Sequence, residues 1–164
     1  MKRLRIPLPV ISVFALALLT RLLYNITVAS QYYTKYDAAL YNRIAYNLAY
    51  HHCYCLYLNQ PDLGRPPLWP FIFSIFYFLP PQPNPQLLDM AQQIFYGRLL
   101  YCFIGSCTCV LVYLLARDLF GKRIALITGM IGAVYPGLFI YDGWLYSESL
   151  YTFLLTAFIY SLYR

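Results

Sequence analysis

Charge is scarce in this sequence. Only 11% of the 164 residues are charged, whereas a water-soluble domain carries about 25%. The shortage is sharpest among the acids, with six Asp and Glu against twelve Lys and Arg. Histidine is almost absent, with two copies standing side by side as His51 and His52. These deficits exclude a chain solvated by its own surface charge. With 61% hydrophobic residues and a mean hydropathy of +0.54, the composition points to a membrane protein. What the chain has in excess is tyrosine, 19 residues, a side chain favoured at the headgroup layer because its ring is buried while its hydroxyl stays wet. The net charge of +6 sits at the ends of apolar segments, where it orders topology. A nucleic-acid partner is therefore not expected.

The five cysteines fall into two groups. Cys102, Cys107 and Cys109 lie in an apolar run and read as small buried hydrophobes. Cys53 and Cys55 lie in a polar stretch, too close together for an ordinary structural disulfide and outside the usual zinc spacings. They fix no redox compartment.

The expected fold is all-α: a polytopic helical membrane protein with spans at about 6–29, 92–116, 124–141 and 149–164, and an outer loop over 30–91. The first span follows Lys2, Arg3 and Arg5 and is too long for a signal-peptide core, so an uncleaved anchor with a cytoplasmic N-terminus is expected. Arg21 interrupts its outer half; it either snorkels to the outer headgroups or faces a polar cavity or a lipid phosphate. Asn25-Ile26-Thr27 fits the glycosylation pattern but falls inside this helix. Residues 37–50 form an amphipathic pattern with Leu40, Ile44 and Leu48 on one stripe and Asn42, Arg43 and Asn47 elsewhere, predicting an interfacial helix opened by Asp37. The run 68–79, bounded by Pro66-Pro67 and Pro80-Pro81, is too short to cross at ~1.5 Å per residue.

Charge parity agrees with length. Arg117, Lys122 and Arg123 form the second basic cluster and belong on the same side as the N-terminus, which requires an even number of crossings between the clusters. The short run then becomes a second juxtamembrane or re-entrant helix. Gly121 is a candidate helix C-cap, Gly129 and Gly132 favour close helix contact, and Pro136 marks a kink or break. The polar stretch 142–148 faces outside, so Asp37, Arg65 and Glu148 converge on one side of the membrane.

The order of these features carries a resemblance. A basic N-terminus and one helix precede Asp37, with Tyr41 and Ala45 behind it. Arg65-Pro66-Pro67-Leu68 follows, then the turn from Ala116 through Arg117-Asp118-Leu119-Phe120-Gly121-Lys122-Arg123 to Leu126, then Pro136, Tyr141 and Ser147-Glu148. Taken together, this resembles the N-terminal third of the multi-spanning glycosyltransferases that use polyprenyl-phosphate sugars. That superfamily includes the dolichyl-phosphate-mannose–protein mannosyltransferases and the lipid A aminoarabinose transferases. The resemblance implies transfer of a sugar from a lipid-phosphate donor to an acceptor (protein, lipid or glycan) outside the cytoplasm, with the cell membrane of a prokaryote expected ahead of the endoplasmic reticulum.

It also implies roles. Asp37 takes the place of the acid that orients or deprotonates the acceptor hydroxyl; otherwise it is a helix N-cap. Arg65 matches a basic residue before Pro that contacts the lipid-linked phosphate, a task suited to a planar guanidinium; otherwise it sits at the headgroups. Glu148 matches a second outer acid, or is a solvated acid at a helix start with Ser147 as a candidate cap. Arg98 is a second phosphate contact or a snorkelling cation, Asp142 a weaker acidic candidate, and Asp62 and Asp89 loop solvation. The position after Asp37 is Ala38, where some members carry a second acid. His51, His52, Cys53 and Cys55 replace the family's glycine, and such close neighbours seldom point at one ion, so no metal or other cofactor is indicated. Family members have many more helices, so the chain is expected to be a portion of a longer enzyme. The rival expectation is a non-enzymatic membrane protein, transporter-like or a scaffold subunit.

Overall fold

The computed structural model describes residues 7–31, 37–58, 60–62, 64–78 and 91–164. Helix α1 (Leu8–Thr27) ends in a 3-10 turn at Ala29–Gln31, and α2 (Asp37–His51) leads into a small antiparallel pair, β1 (Cys55–Tyr57) with β2 (Gln60–Pro61). Helix α3 (Leu68–Ser74) runs on into a 3-10 turn at Ile75–Phe78. Helices α4 (Ala91–Phe120), α5 (Lys122–Val134), α6 (Pro136–Trp144) and α7 (Ser147–Tyr163) complete an almost wholly helical chain. Among the described residues two helical stretches, Leu8–Gln31 and Gln92–Phe120, are long and apolar enough to cross a membrane. A third is reached if α5 and α6, bent by 42°, are taken as one span.

Helix α4 is the axis: α1, α5, α6 and α7 all pack on it. Its buried seam repeats every four residues, through Gly97, Tyr101, Gly105, Cys109 and Tyr113, which keeps one stripe facing inward. Gly121 (φ 84) ends it, with its N–H donating to the Arg117 carbonyl at 3.0 Å, and α5 starts at once. At Gly129 an added Cβ would lie 2.9 Å from Val13 of α1 and 3.1 Å from Tyr113 of α4, so three helices meet there. Gly132, expected to serve likewise, has room for a side chain, its nearest neighbours being 3.9 Å away.

The expected span 124–141 is two helices. Pro136 opens α6 and forces Tyr135 into extended geometry (φ −73, ψ 117), because the residue before a proline is disfavoured in the helical region. Helix α6 then continues through Asp142 to Trp144, so the expected polar loop shrinks to Leu145 and Tyr146. Leu145 takes a left-handed conformation (φ 60), costing an apolar residue roughly 1–2 kcal/mol, and it is held there by burial.

The buried face of α2 also differs from the expected stripe. Ala38, Tyr41, Ala45 and Ala49 are buried along with Ile44, while Leu40 and Leu48 are half-buried. The reason is the neighbour. Helix α3 and its turn present Trp69, Phe73 and Tyr77, and small alanines let these rings approach. Asn42 and Asn47 are turned inward as pins. Tyr77 hydroxyl donates to the Asn42 side-chain oxygen, and Asn47 Nδ2 donates to the Cys55 and Leu56 carbonyls at 2.8 and 3.2 Å. Burial raises the Tyr77 pKa, which keeps its hydroxyl protonated and donating.

Cys53 and Cys55 are joined as a disulfide, against the expectation that they stand too close. Their α-carbons lie 5.3 Å apart, within the range a disulfide needs.

Two apolar clusters result. One joins α2, α3, Tyr101 of α4, Leu145 and Leu150, and the other joins α1, α4 and α5 around Val13, Ala17, Cys109, Tyr113 and Ala125. Between them lie Arg21, Asn25, Ser106 and Asp142, all buried. The outward faces of α1, α5 and α7 carry large exposed apolar side chains such as Leu19, Ile127 and Phe158.

Candidate functional site

The site begins with Arg21. In α1 it is fully buried, and its Nε donates to Asp142 Oδ2 at 2.7 Å. Both side chains are 1% exposed. A buried charge with no partner costs several kcal/mol, so each is tolerable only because of the other. The guanidinium is satisfied further by the Ala17 and Ala133 carbonyls at 3.2 and 3.5 Å and by Cys109 Sγ at 3.6 Å. The Ala133 contact has a local cause. Pro136 ends α5 early, leaving its last carbonyls without helical partners, and Arg21 reaches one of them. Arg21 therefore does not snorkel.

Arg98 follows the same rule. It is 9% exposed, and its Nε donates at 2.9 Å to the Gly143 carbonyl near the end of α6. The sequence reads Arg98 as a second phosphate contact or a snorkelling cation; the structure ties its Nε to the protein's own backbone. Trp69 Nε1 takes the next free carbonyl, Leu145, at 3.1 Å. Two arginines and a tryptophan thus cap the carbonyls where α5 and α6 end inside the fold.

Asp142 is likewise corrected, from an outer-loop acid to half of a buried ion pair. Gly105 makes the pair fit: a Cβ there would lie 2.5 Å from Arg21 Nε and from Asp142 Oδ2. Beside the pair opens a cavity of about 250 Å3, walled by Arg21, Thr108, Tyr141, Asp142, Ser149 and Thr152, with exposed Glu148 also on its lining.

Asp37 and Glu148 sit in the first turns of α2 and α7, both exposed, where the helix dipoles favour carboxylates. Their helices touch one turn into α2 and at the very start of α7: Tyr41 hydroxyl lies 3.2 Å from Ser147 Oγ. Ser147 is the first residue of α7 rather than its cap, Tyr146 taking the N-cap position; the Ser147 hydroxyl contacts Tyr41 and, at 3.4 Å, Glu148. Tyr101, fully buried and stacked on Trp69 with ring centroids 4.1 Å apart, lies within electrostatic range of Asp142, Glu148 and Tyr41. Among the described residues its hydroxyl has no hydrogen-bond partner.

Arg65 is placed apart. It pairs with Asp62 three residues back, so Asp62 is its partner rather than loop solvation. Asp62 also accepts from the Gly64 N–H at 2.8 Å, and Tyr54 hydroxyl donates to the Arg65 carbonyl at 3.1 Å. Burial raises the Tyr54 pKa, with the Asp62 charge adding to it, so that hydroxyl remains a donor. Among the described residues, no hydrogen bond or ion pair joins Asp37, Arg65 and Glu148 to one another. No three metal-ligating side chains converge among the described residues, and the Cys53–Cys55 bond withdraws both thiols from any such set. Asp89 lies outside the described residues.

Sequence reasoning missed the Arg21–Asp142 pair, Tyr101 and Ser149. A signal existed for the first: one apolar segment carries a lone arginine, another ends in an aspartate, and opposite charges in apolar helices seek each other. Compared with family models, curated proteins and solved structures, the chain finds no match in any of the three.

Proposed function

We propose that this chain belongs to a membrane glycosyltransferase that moves a sugar from a polyprenyl-phosphate donor to an acceptor hydroxyl on the outer face of the membrane. In this reading α1, α4 and the bent α5–α6 pair cross the bilayer, and α2 and α3 lie along the outer surface. The turn bearing Lys122 and Arg123, both exposed, stays in the cytoplasm with the N-terminus. The observation that supports the reading best is the Tyr41–Ser147 contact, which sets the first turn of α2, carrying Asp37, against the first turn of α7, carrying Glu148.

Asp37 takes the proton of the acceptor hydroxyl as its oxygen bonds to the anomeric carbon. The bond from that carbon to the phosphate oxygen breaks, and polyprenyl phosphate leaves with the electron pair. Arg65 offsets the charge on the departing phosphate, and Glu148 orients the acceptor. Neither the sugar nor the acceptor is specified by these residues.

The reading is tested with the chain in membrane vesicles and a photoreactive polyprenyl-phosphate hexose. Light should label the chain, and Arg65→Ala should reduce labelling several-fold. Labelling no stronger than with the uncharged polyprenol would sink the proposal and favour a non-enzymatic membrane protein.

A further inference from the structure

Cys53 and Cys55 take no part in the proposed transfer. One residue separates them in the chain. A disulfide stabilises chiefly by restricting the unfolded chain, and the effect grows with the length of the loop it closes. The Cys53–Cys55 loop is close to the shortest a disulfide can close, so the bond is a weak fastener. The hairpin is already fastened without it. Asn47 Nδ2 holds the Cys55 and Leu56 carbonyls, and the Asn47 carbonyl accepts from the Cys53 N–H at 3.3 Å.

The two sulfurs differ in access. Cys55 is fully buried. Cys53 is half-buried, and His51 and His52 just before it are exposed. A thiolate arriving from outside the protein therefore meets Cys53 Sγ first, and Cys55 Sγ is the leaving group. Between the cysteines stands Tyr54, which ties this loop to Arg65. Its hydroxyl donates to the Arg65 carbonyl at 3.1 Å, and its carbonyl accepts from the Asp62 N–H at 2.9 Å. Its ring stacks on Phe71 of α3 with centroids 5.9 Å apart. A bond that joins the residues on either side of Tyr54 acts directly on the residue that holds Arg65.

We infer that Cys53–Cys55 is a thiol–disulfide exchange site for an external dithiol, and that its redox state sets how firmly Tyr54 holds the Arg65 turn. A thiolate of the dithiol attacks Cys53 Sγ, the Cys53–Cys55 bond breaks, and Cys55 leaves with the electron pair and takes up a proton. The second thiolate of the dithiol then attacks its own first sulfur in the mixed disulfide, releasing Cys53, which also takes up a proton. The protein disulfide is reduced to two thiols, the dithiol is oxidised to its disulfide, and two protons pass to the protein. The Asn47 bonds involve no sulfur, so the thiols stay near each other and the bond can form again. The exchange site stands apart from the transferase reading; only the meaning of loosening Arg65 rests on it.

The test treats the full chain in nanodiscs with dithiothreitol, alkylates the free thiols, and reads each cysteine by mass spectrometry. Cys53 and Cys55 should become alkylated together, at a rate within about tenfold of that in the guanidinium-denatured chain. Oxidised glutathione should restore the bond. Hydrogen exchange then compares the two states. On reduction the Asp62 amide should exchange about tenfold faster while the α4 amides are unchanged, which separates local release from unfolding. Cys53→Ser with Cys55→Ser should copy the reduced state and ignore dithiothreitol. Reduction that occurs only after denaturation, or thiols that oxidised glutathione does not rejoin, would overturn the exchange site. Equal Asp62 exchange in both states would overturn the coupling to Tyr54. If donor photolabelling fails while thiol exchange succeeds, the exchange site stands without the transferase. If photolabelling succeeds while thiol exchange fails, the transferase reading stands and the bond is structural.

Discussion

Arg21 and Arg65 each pair with an aspartate, and they resemble each other in nothing else. Arg21 meets a residue 121 positions away, at 1% exposure on both sides, with the guanidinium also bonded to two helices' carbonyls. Arg65 meets Asp62 three residues back, with a quarter of its side chain in contact with the surroundings. The first pair joins α1 to α6 across α4, whose Gly105 leaves room for it. The second only shapes a turn. The same chemical pair is architecture in one place and, at most, a poised cation in the other, because burial decides what removing a partner costs.

The sharpest way to break that comparison is Arg21→Met, which leaves Asp142 buried and alone. We expect a loss of about 3–5 kcal/mol in denaturant unfolding. Replacing both, as Arg21→Met with Asp142→Leu, should recover most of it, since two apolar side chains desolvate at no cost. If the double variant is no more stable than the single, the pair does not carry the coupling assigned to it.

Gly105→Ala comes next. Its added Cβ would sit 2.5 Å from both charged groups, which the buried ion pair holds in place, so a loss of about 1–3 kcal/mol is expected from thermal melts. An unchanged Tm would show that the helices are not packed as closely as described. Smallest is Arg65→Ala, which should change stability by less than about 1 kcal/mol, with an effect that shrinks as salt is raised. A larger, salt-independent loss would erase the distinction between the two arginines.

The residues that read clearly in the sequence are those whose cause is local. Helix α1 was expected over 6–29 and runs Leu8–Thr27, and α4 was expected over 92–116 and runs Ala91–Phe120. Length and hydropathy are properties of the segment itself. Gly121 and Pro136 likewise act through their own backbone geometry. What the sequence hid depends on partners far along the chain. Leu40, Ile44 and Leu48 formed the more apolar stripe of α2, yet Ala38, Ala45 and Ala49 are buried, because Trp69, Phe73 and Tyr77 need room that leucines would fill. Arg98 reads as a phosphate contact or a snorkelling cation because nothing near it in sequence reveals that the Gly143 carbonyl, close to the end of α6, lies within its reach. Asp37 and Glu148 were legible as exposed acids at helix starts. That their helices meet through Tyr41 and Ser147 was not.

The most direct test of the proposed function is sugar transfer from a radiolabelled polyprenyl-phosphate hexose to endogenous acceptors, in membranes carrying the chain or its Asp37→Asn variant at equal abundance. The wild type should transfer label, and Asp37→Asn should lower the rate by about 10²–10⁴, as expected for a missing general base. Transfer by the variant at a near-normal rate would contradict the role given to Asp37.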